Sequence, residues 1–222
     1  MFIGHYALAF AAKRVAPAAS LGTLILAAQF LDVLWPAFVI AGIERVEIAP
    51  GNTAFTPLAF VHYPYSHSLL ASAVWAALFG AAYLALRHDR AGALVIAALV
   101  LSHWALDAGS HRPDLPLLPG GETLIGLGLW NSVPATLVVE CALFAGGLAS
   151  YVALTRARDR TGVFSFGALV VVLLLAYSGA AFGPLPPSSE AVAYSGLLGW
   201  LAAAWGYWID RHRSVATATV RA

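Results

Sequence analysis

The stretch VFSFGALVVVLLLAYSGAAF, residues 163–182, runs for a whole membrane thickness without a charged side chain. Crossing the hydrocarbon core of a bilayer takes roughly 20 apolar residues in an α-helix. Hydrophobic residues make up 60% of the 222-residue chain and charged residues only 10%, whereas soluble domains are about half apolar and a quarter charged. The composition and this stretch together exclude an ordinary soluble globule and indicate a polytopic helical membrane protein.

Apolar runs of similar length recur along the chain, at residues 21–43, 64–86, 91–109, 133–154, 163–182 and 191–209. A shorter run, 2–12, precedes them and has no basic segment before it, so we interpret it as a retained helix and not as a signal peptide. The sequence therefore predicts an all-α fold, a polytopic membrane helix bundle of about six transmembrane helices plus a short, re-entrant N-terminal helix. We expect a single integral membrane domain over residues 1–222, with the candidate metal site in residues 1–120 and scaffold helices in 132–209.

The basic residues indicate the orientation. Only Arg45 and Arg112 fall in the long connections 44–63 and 110–131. The others fall in the alternate connections or the C-terminal tail: Lys13, Arg14, Arg87, Arg90, Arg156, Arg158, Arg160, Arg211, Arg213 and Arg221. Because Lys and Arg concentrate on the cytoplasmic side, we expect a multi-pass protein of the bacterial inner (plasma) membrane with a cytoplasmic C-terminus and outward-facing long connections.

Net charge and cysteine content exclude further classes of protein. The formal net charge is +1, and a nucleic-acid platform needs a concentrated basic face, which this chain lacks. A single cysteine excludes a disulfide framework and a thiolate zinc cage.

Ionisable side chains lie at membrane depth, where each charge costs at least about 2.5 to 3.5 kcal/mol. At about 1.5 Å per residue, Asp32 lies roughly 16 Å along its helix, His103 roughly 18 Å and Asp107 roughly 24 Å. Pro36, four residues after Asp32, removes a helical hydrogen bond and predicts a bend there. We expect six ionisable side chains to converge in the middle and outer half of the membrane: His5, Asp32, His67, His103, Asp107 and Glu140.

Two spacings point to a metal. His103 and Asp107 are four residues apart and share one helix face. His62 and His67 flank a proline-containing turn at the start of a helix, so His62 is a candidate for a supporting or additional ligand. Neutral imidazole and carboxylate groups suit zinc and similar divalent metals, and a bound cation compensates the burial of carboxylates. The predicted metal ligands are His5, Asp32, His67, His103 and Asp107.

Each of these side chains taken singly has another interpretation. A single His inside a membrane helix is most often a hydrogen-bonded packing residue, and a single Asp can be a helix-pairing or proton-relay group. His111, in the second long connection, is interpreted as a surface residue, with additional metal ligand as the alternative. Four carboxylates are interpreted as ordinary loop charges: Glu44, Glu47, Asp114 and Glu122.

The order of the motifs resembles a known family. The motifs are Gly4-His5, an Asp after an apolar run, His62-x4-His67-Ser68 and Ser102-His103-x3-Asp107. Over roughly residues 1–120 the chain looks like the bacterial membrane-bound, LexA-regulated type of metal-dependent hydrolase. That family is similar in turn to zinc-dependent phospholipase C and the single-strand-specific zinc nucleases, whose helical fold holds zinc ions that activate water against a phosphoester.

The resemblance implies roles for individual residues. Asp32, His67, His103 and Asp107 match one zinc site, and Asp107 bridges to a second metal held also by His5. For a third metal the relatives use a His and then a His and a Glu four apart; His111 and Glu140 match two of these. Thr136 stands where the remaining His is expected. The chain also reads Leu31-Asp32-Val33-Leu34 where the family has Pro-Asp-x-Asp, and His62-Tyr63-Pro64 where it has His-Arg-Gly, so we expect one or two metals.

The first functional hypothesis is a membrane hydrolase that uses zinc, or alternatively manganese. It acts from the outer side on a phosphoester or on a lipid-like, amphiphilic ester, with Glu140 as the catalytic proton acceptor and membrane lipids as partners. The second hypothesis is an ion, proton or small-solute transporter, since intramembrane Asp, Glu and His residues also mark ion pathways. The third is a relative that binds metal without catalysis.

Overall fold

The computed structural model describes residues 1–216, so Arg221 of the predicted cytoplasmic group lies outside the described part. The described part is mostly helical, with 66% of its residues in helices. The helices of residues 1–216 are α1 Ile3–Ala12, α2 Leu21–Ala28, α3 Phe30–Ile40, α4 Pro64–His67, α5 Leu69–Arg87, α6 Arg90–Ser110, α7 Val133–Leu154, α8 Arg160–Phe182, α9 Ser189–Gly196 and α10 Gly199–His212, with a short 3₁₀ turn at Leu129–Asn131.

Among the described residues, the four helices α5, α6, α7 and α8 are long and apolar enough to cross a membrane. The pair α2 and α3 also passes this test if it counts as one span, and the two helices meet at an angle of 57°. The prediction of a bundle with helices long and apolar enough to span a membrane is thus confirmed for four or five candidate spans, and six spans are not shown.

The sixth predicted span, 191–209, is divided in the structure into α9 and α10. The two glycines beside the break lie against α3. A Cβ on Gly196 would lie 2.6 Å from Pro36 Cγ, and one on Gly199 would lie 2.8 Å from Val33 Cγ1. Since helices approach closely where residues are small, these glycines allow the segment around the break to pack against α3. Neither α9 nor α10 reaches the length of a span alone.

The bend in the predicted first span lies before Asp32 and not at Pro36. The break is at Gln29, whose φ of −103° and ψ of 8° end α2 and begin α3. Asp32 therefore occupies the first turn of α3, while Pro36 lies inside this helix. A proline leaves the carbonyl four residues earlier without its donor, which is the Asp32 carbonyl, yet the chain redirects itself one turn sooner.

The all-α prediction misses three small antiparallel sheets in residues 1–216. The connection 44–63 contains β1 Arg45–Ile48 paired with β2 Leu58–His62, and the connection 110–131 contains β3 Leu115–Pro116 paired with β4 Leu124–Ile125. The third sheet joins β5 Thr155–Ala157 to β6 Arg213–Val215 and so ties the end of α7 to the end of α10. The two long connections are thus folded structures that lie over the ends of the helices.

The short helix α1 lies inside the bundle, where it packs against α7, α2, α6 and α8. Phe10 contacts the rings of Phe144, Tyr151 and Phe166, with ring centroids 5.7 to 5.9 Å apart. Gly147 of α7 admits α1 most closely, because a Cβ at this position would lie 2.3 Å from the Ala7 carbonyl oxygen. This packing fixes the depth of His5, which lies two residues before Ala7.

Candidate metal centre

The five predicted ligands come together from four helices. His5 lies on α1, Asp32 on α3, His67 at the end of α4, and His103 and Asp107 on α6. In residues 1–216 they form two overlapping groups whose ligand atoms all lie within 4.8 Å of one another: His5, His103 and Asp107 in one, and Asp32, His67 and His103 in the other. His103 belongs to both, so we treat the five residues as one cluster, the candidate metal centre.

Asp107 bridges the two halves of this centre. Its Oδ1 lies 3.1 Å from His5 Nε2, and its Oδ2 lies 3.2 Å from His103 Nε2 and 3.7 Å from His67 Nε2. Asp32 Oδ1 lies 3.5 Å from both His67 Nε2 and His103 Nε2. The Met1 amino group donates to Asp107 Oδ1 as well. Two carboxylates thus face three imidazole nitrogens across one small space.

Local backbone signals place these side chains. His103 and Asp107 share a face of α6 through their i, i+4 spacing. After His67 the chain leaves the helical conformation at Ser68, whose φ of −72° and ψ of 152° end α4, and whose hydroxyl caps α5 by accepting from the Ala71 amide. His67 therefore projects from a short turn and is not constrained by the direction of α5.

Two of the imidazoles have a hydrogen-bond partner at Nδ1, the ring nitrogen that faces away from the centre. His103 Nδ1 lies 2.8 Å from the Ala28 carbonyl oxygen and must donate to it, since a carbonyl only accepts. His67 Nδ1 lies 2.7 Å from Ser66 Oγ. A neutral imidazole with its proton on Nδ1 turns an unprotonated Nε2 inward, the usual arrangement of a metal-ligating histidine and its supporting partner.

The centre calls for positive charge between its members. His103 Nε2 is buried without a hydrogen-bond partner, and unprotonated nitrogens that face carboxylates repel them unless a cation lies between. The Met1 amino group, which donates to Asp107 Oδ1, and protons on the imidazoles are the other sources of positive charge. However, the His5 and His103 rings are stacked 3.6 Å apart at 3°, and two imidazolium charges at that separation repel each other. The donor set fits a divalent metal that prefers nitrogen and oxygen ligands.

One side of the centre is open. The Asp32 side chain is 43% exposed, whereas those of His67, His103 and Asp107 are 5% exposed or less. His5 is 1% exposed. A molecule that reaches the centre therefore comes past Asp32.

Glu140 lies outside both three-residue groups. Its Oε2 accepts from the Phe2 amide at 2.8 Å and from the Gly4 amide at 3.2 Å. These are unpaired donors at the N-terminus of α1, so Glu140 caps this helix from α7. Its other oxygen, Oε1, is buried without a hydrogen-bond partner. The carboxylate predicted as the proton acceptor is thus held by one oxygen and free at the other.

The structure does not bring His62 to the centre. It lies exposed at the end of β2, with its ring edge-on to Tyr65 at 6.1 Å. Thr136, at the position where the resemblance expects a His, is buried and donates its hydroxyl to the Leu129 and Ser132 carbonyls. A third metal held by these positions finds no support in the described geometry.

His111 is buried, so its interpretation as a surface residue is wrong. Its Nδ1 lies 2.9 Å from Asp114 Oδ1, to which the Tyr63 hydroxyl also donates at 3.1 Å, and its ring packs 4.4 Å from that of Trp130. Burial lowers the pKa of His111 below its ordinary value, and burial together with the charge of Asp114 raises the pKa of Tyr63 above its own. These residues form a second polar cluster beneath the two long connections, and Asp114 is part of it and not a free loop charge.

Glu44 is also buried, at 3% exposure, so the interpretation of it as a loop charge is wrong. Its Oε1 accepts from the Tyr65 and Ser66 amides, both at 2.8 Å, and its Oε2 accepts from the Ser66 hydroxyl at 2.6 Å. The only sequence signal for this contact is the position of a carboxylate directly after the apolar run 21–43. No spacing connects it to the distant Ser66.

Comparisons of this chain with family models, curated proteins and solved structures find no match. The case for a function therefore depends on the site.

Proposed function

We propose that this chain is an integral membrane, metal-dependent hydrolase that cleaves a phosphoester or a lipid-like ester. One observation carries the proposal: His5, Asp32, His67, His103 and Asp107 meet in one cluster with buried nitrogens turned inward and one open side. The three buried imidazoles and the buried Asp107 carboxylate are costly to fold unless positive charge compensates them, whether from a bound cation, from the Met1 amino group or from protons.

Asp32, His67, His103 and Asp107 would hold one divalent metal, zinc or alternatively manganese. His5 and the carboxylate of Asp107 would together hold a second metal. Such a metal, when bound, polarises a phosphoryl or carbonyl oxygen and lowers the pKa of a water molecule. The resemblance to the LexA-regulated membrane hydrolases supports this assignment, because the positions of the family's motifs in this sequence imply the same five ligands.

The protein's own residues supply the other parts of a reaction. The exposed side of Asp32 admits the substrate, while the buried walls around His103 exclude bulk water. Glu140 Oε1 is the free carboxylate oxygen that can take a proton, and its partner Oε2 keeps the side chain in place through the Phe2 and Gly4 amides. An amphiphilic or lipid substrate suits a centre reached between membrane helices.

The orientation follows from the basic residues of the sequence. The positive-inside rule puts the connections with Arg87 and Arg156 in the cytoplasm, together with the C-terminus, in a bacterial inner membrane. The ends of α4 and α6 that carry His67 and Asp107 then lie toward the outer side. Substrate would enter from that side, from the outer leaflet or the periplasm.

A second candidate, an ion or proton pathway, is favoured by the continuity of the same groups. The chain from Asp32 through His103 and Asp107 to His5 has no step longer than 3.5 Å, a spacing that also suits proton transfer. A third candidate is a metal-binding relative without catalysis. It is favoured by the missing second carboxylate at Leu34 and the missing arginine at Tyr63. Measurements of substrate cleavage and of ion flux distinguish the hydrolase from the ion pathway.

The test is hydrolysis by detergent-purified protein of a fluorogenic phosphodiester and of short-chain phospholipids, with and without a chelator. We expect cleavage that the chelator abolishes and added zinc restores. Asp107→Asn, which keeps the volume of the side chain, should abolish it, and His62→Ala should match the wild type. Absence of cleavage of every phosphoester and carboxyl ester would refute the enzyme, and ion flux in proteoliposomes would then test the pathway.

Glu140→Gln tests the proton acceptor separately. The Gln carbonyl oxygen can still accept from the Phe2 and Gly4 amides, so the helix cap and the metal content should persist. Cleavage should fall by about 10²- to 10⁴-fold, the usual contribution of general acid–base catalysis. Unchanged cleavage in this variant would remove Glu140 from the mechanism.

A further inference from the structure

The β1–β2 hairpin is connected to the candidate metal centre through Glu44. This residue directly precedes β1, whose pairing with β2 places Arg45 opposite His62. Its backbone amide donates to the Phe38 carbonyl at 3.1 Å, which fixes it at the end of α3. From there its buried carboxylate spans to the α4 turn and accepts three hydrogen bonds from Tyr65 and Ser66. A buried carboxylate with all its contacts on one turn is expected to control the conformation of that turn.

The direction of the next hydrogen bonds follows from the chemistry of a carboxylate. An ionised carboxylate only accepts, so the Ser66 hydroxyl donates its single proton to Glu44 Oε2 at 2.6 Å. The same Ser66 oxygen lies 2.7 Å from His67 Nδ1. Since the hydroxyl proton is already committed, Ser66 must accept here, and the His67 proton must be on Nδ1.

We propose that Glu44 and Ser66 are positioning residues that fix the tautomer of His67, so that its unprotonated Nε2 faces Asp32 and Asp107. Nε2 lies 3.5 Å from Asp32 Oδ1 and 3.7 Å from Asp107 Oδ2, where a metal ligand is needed. Ser66 is fully buried, at 0% exposure, and its hydroxyl contacts both Glu44 and His67, so it connects the two side chains. The inference rests on the proposed metal site, but the tautomer of His67 is a property of the protein without metal.

Glu44→Gln is a sharp perturbation because it reverses the direction of the hydrogen bonds. Two backbone amides point at one end of the side chain, so the Gln oxygen takes that end and the NH₂ group faces Ser66. The NH₂ then donates to the Ser66 oxygen, whose own proton is free to point at His67 Nδ1. His67 must accept at Nδ1 and carry its proton on Nε2, where it competes with a metal.

The first measurement is ¹⁵N NMR of histidine-labelled, metal-free protein in detergent, with the His67 signals among those of the seven histidines assigned by His67→Asn. We expect the wild type to carry the proton on Nδ1, Glu44→Gln to carry it on Nε2, and Ser66→Ala to lose the fixed tautomer. The matched control is Glu47→Gln on β1, whose side chain is 58% exposed and pairs only with Arg45 among the contacts of the described residues. It should match the wild type.

The second measurement is Co²⁺ binding, followed by its visible absorption in competition with a chelator. Loss of a group that orients a metal ligand typically costs 10- to 100-fold in affinity, and we expect this loss for Glu44→Gln and Ser66→Ala but not for Glu47→Gln. Wild-type His67 with its proton on Nε2, or Glu44→Gln with wild-type tautomer and affinity, would overturn the inference.

The two proposals fail separately. If the wild type binds no Co²⁺ while its His67 tautomer responds to Glu44→Gln, the metal site is refuted and the positioning role stands. If Glu44→Gln does not fold, the wild-type tautomer together with Ser66→Ala decides the question. A metal-free wild type with a proton on Nε2 still overturns the inference in that case.

Discussion

The contact of α1 with α7 should control the candidate metal centre from a distance, and adjacent glycines test this. A Cβ on Gly147 would lie 2.3 Å from the Ala7 oxygen and 2.7 Å from Ala7 Cα, both backbone atoms, whereas ordinary contact begins at 3.4 Å. The Gly147→Ala variant therefore requires α1 to move by about 1 Å. His5 moves with this helix, so its 3.1 Å approach to Asp107 changes by a comparable distance.

The magnitude follows from two opposing terms. Forcing a methyl group into a filled contact costs about 1 to 3 kcal/mol, and replacing Gly by Ala in a helix gains about 1 kcal/mol. Because the clash is with backbone, we expect a net loss of about 1 to 2 kcal/mol, equivalent to about 2 to 8 °C in the thermal transition for a chain of this size. The variant should also bind Co²⁺ more weakly.

Gly146→Ala on the same helix is the matched control, since a Cβ at this position would have no neighbour within 4 Å. This variant should bind the metal with unchanged affinity, and its thermal unfolding temperature should rise slightly. Thermal unfolding in detergent followed by size-exclusion chromatography, with Co²⁺ titration of both variants, provides the comparison. Equal transitions and equal affinities for the two variants would refute the packing argument.

Other predictions concern the end of the bundle where β5 meets β6. Arg213 is buried, with its guanidinium 5.0 Å from the Phe166 ring centroid. Arg213→Ala should therefore lower the free energy of unfolding by about 2 to 4 kcal/mol, through the loss of stacking and of charged hydrogen bonds. Arg211→Ala, at an exposed position, should leave the stability unchanged, and equal losses for the two variants would contradict this account. The hydrogen bond from His212, 2.8 Å away, lowers the pKa of exposed Asp159 below its ordinary value. A carboxylate whose pKa is lower in the folded than in the unfolded state stabilises the fold at pH values above its ordinary pKa of about 4. This stabilisation is lost as the pH falls through the pKa of the folded state. The stability difference between wild type and Asp159→Asn should therefore shrink in acid, and a difference that stays constant from neutral to strongly acid pH would count against the pair.

The membrane helices could be predicted from the sequence because a long apolar run has few alternatives. Residues 133–154 are one helix with those bounds, and the short run 2–12 is α1 within one residue. Residues 191–209 look equally continuous, yet they form two helices separated at Leu197 and Leu198. The bend at Gln29 escaped prediction because proline is the visible signal for a bend, and Pro36 lies seven residues later, inside α3.

The cluster of the metal centre could be predicted because charge at membrane depth demands a partner. His5 and Asp32 are far apart along the chain, yet the cost of burying each alone indicated convergence. Residues that support the cluster carried no such signal. Glu44 and Asp114 look like loop charges, since the hairpins that cover them are too short to leave a pattern in the sequence. Metal, substrate and reaction stay predictions.

The central claim is that this cluster holds a divalent metal, and elemental analysis of detergent-purified protein tests it most directly. The account predicts near-stoichiometric zinc or manganese in the wild type and in His62→Ala, and its loss in His103→Ala and Asp107→Ala. A wild type that holds no metal even after reconstitution, or variants that keep it, would contradict the account. The buried imidazoles and carboxylates would then have to be explained as a proton or ion pathway.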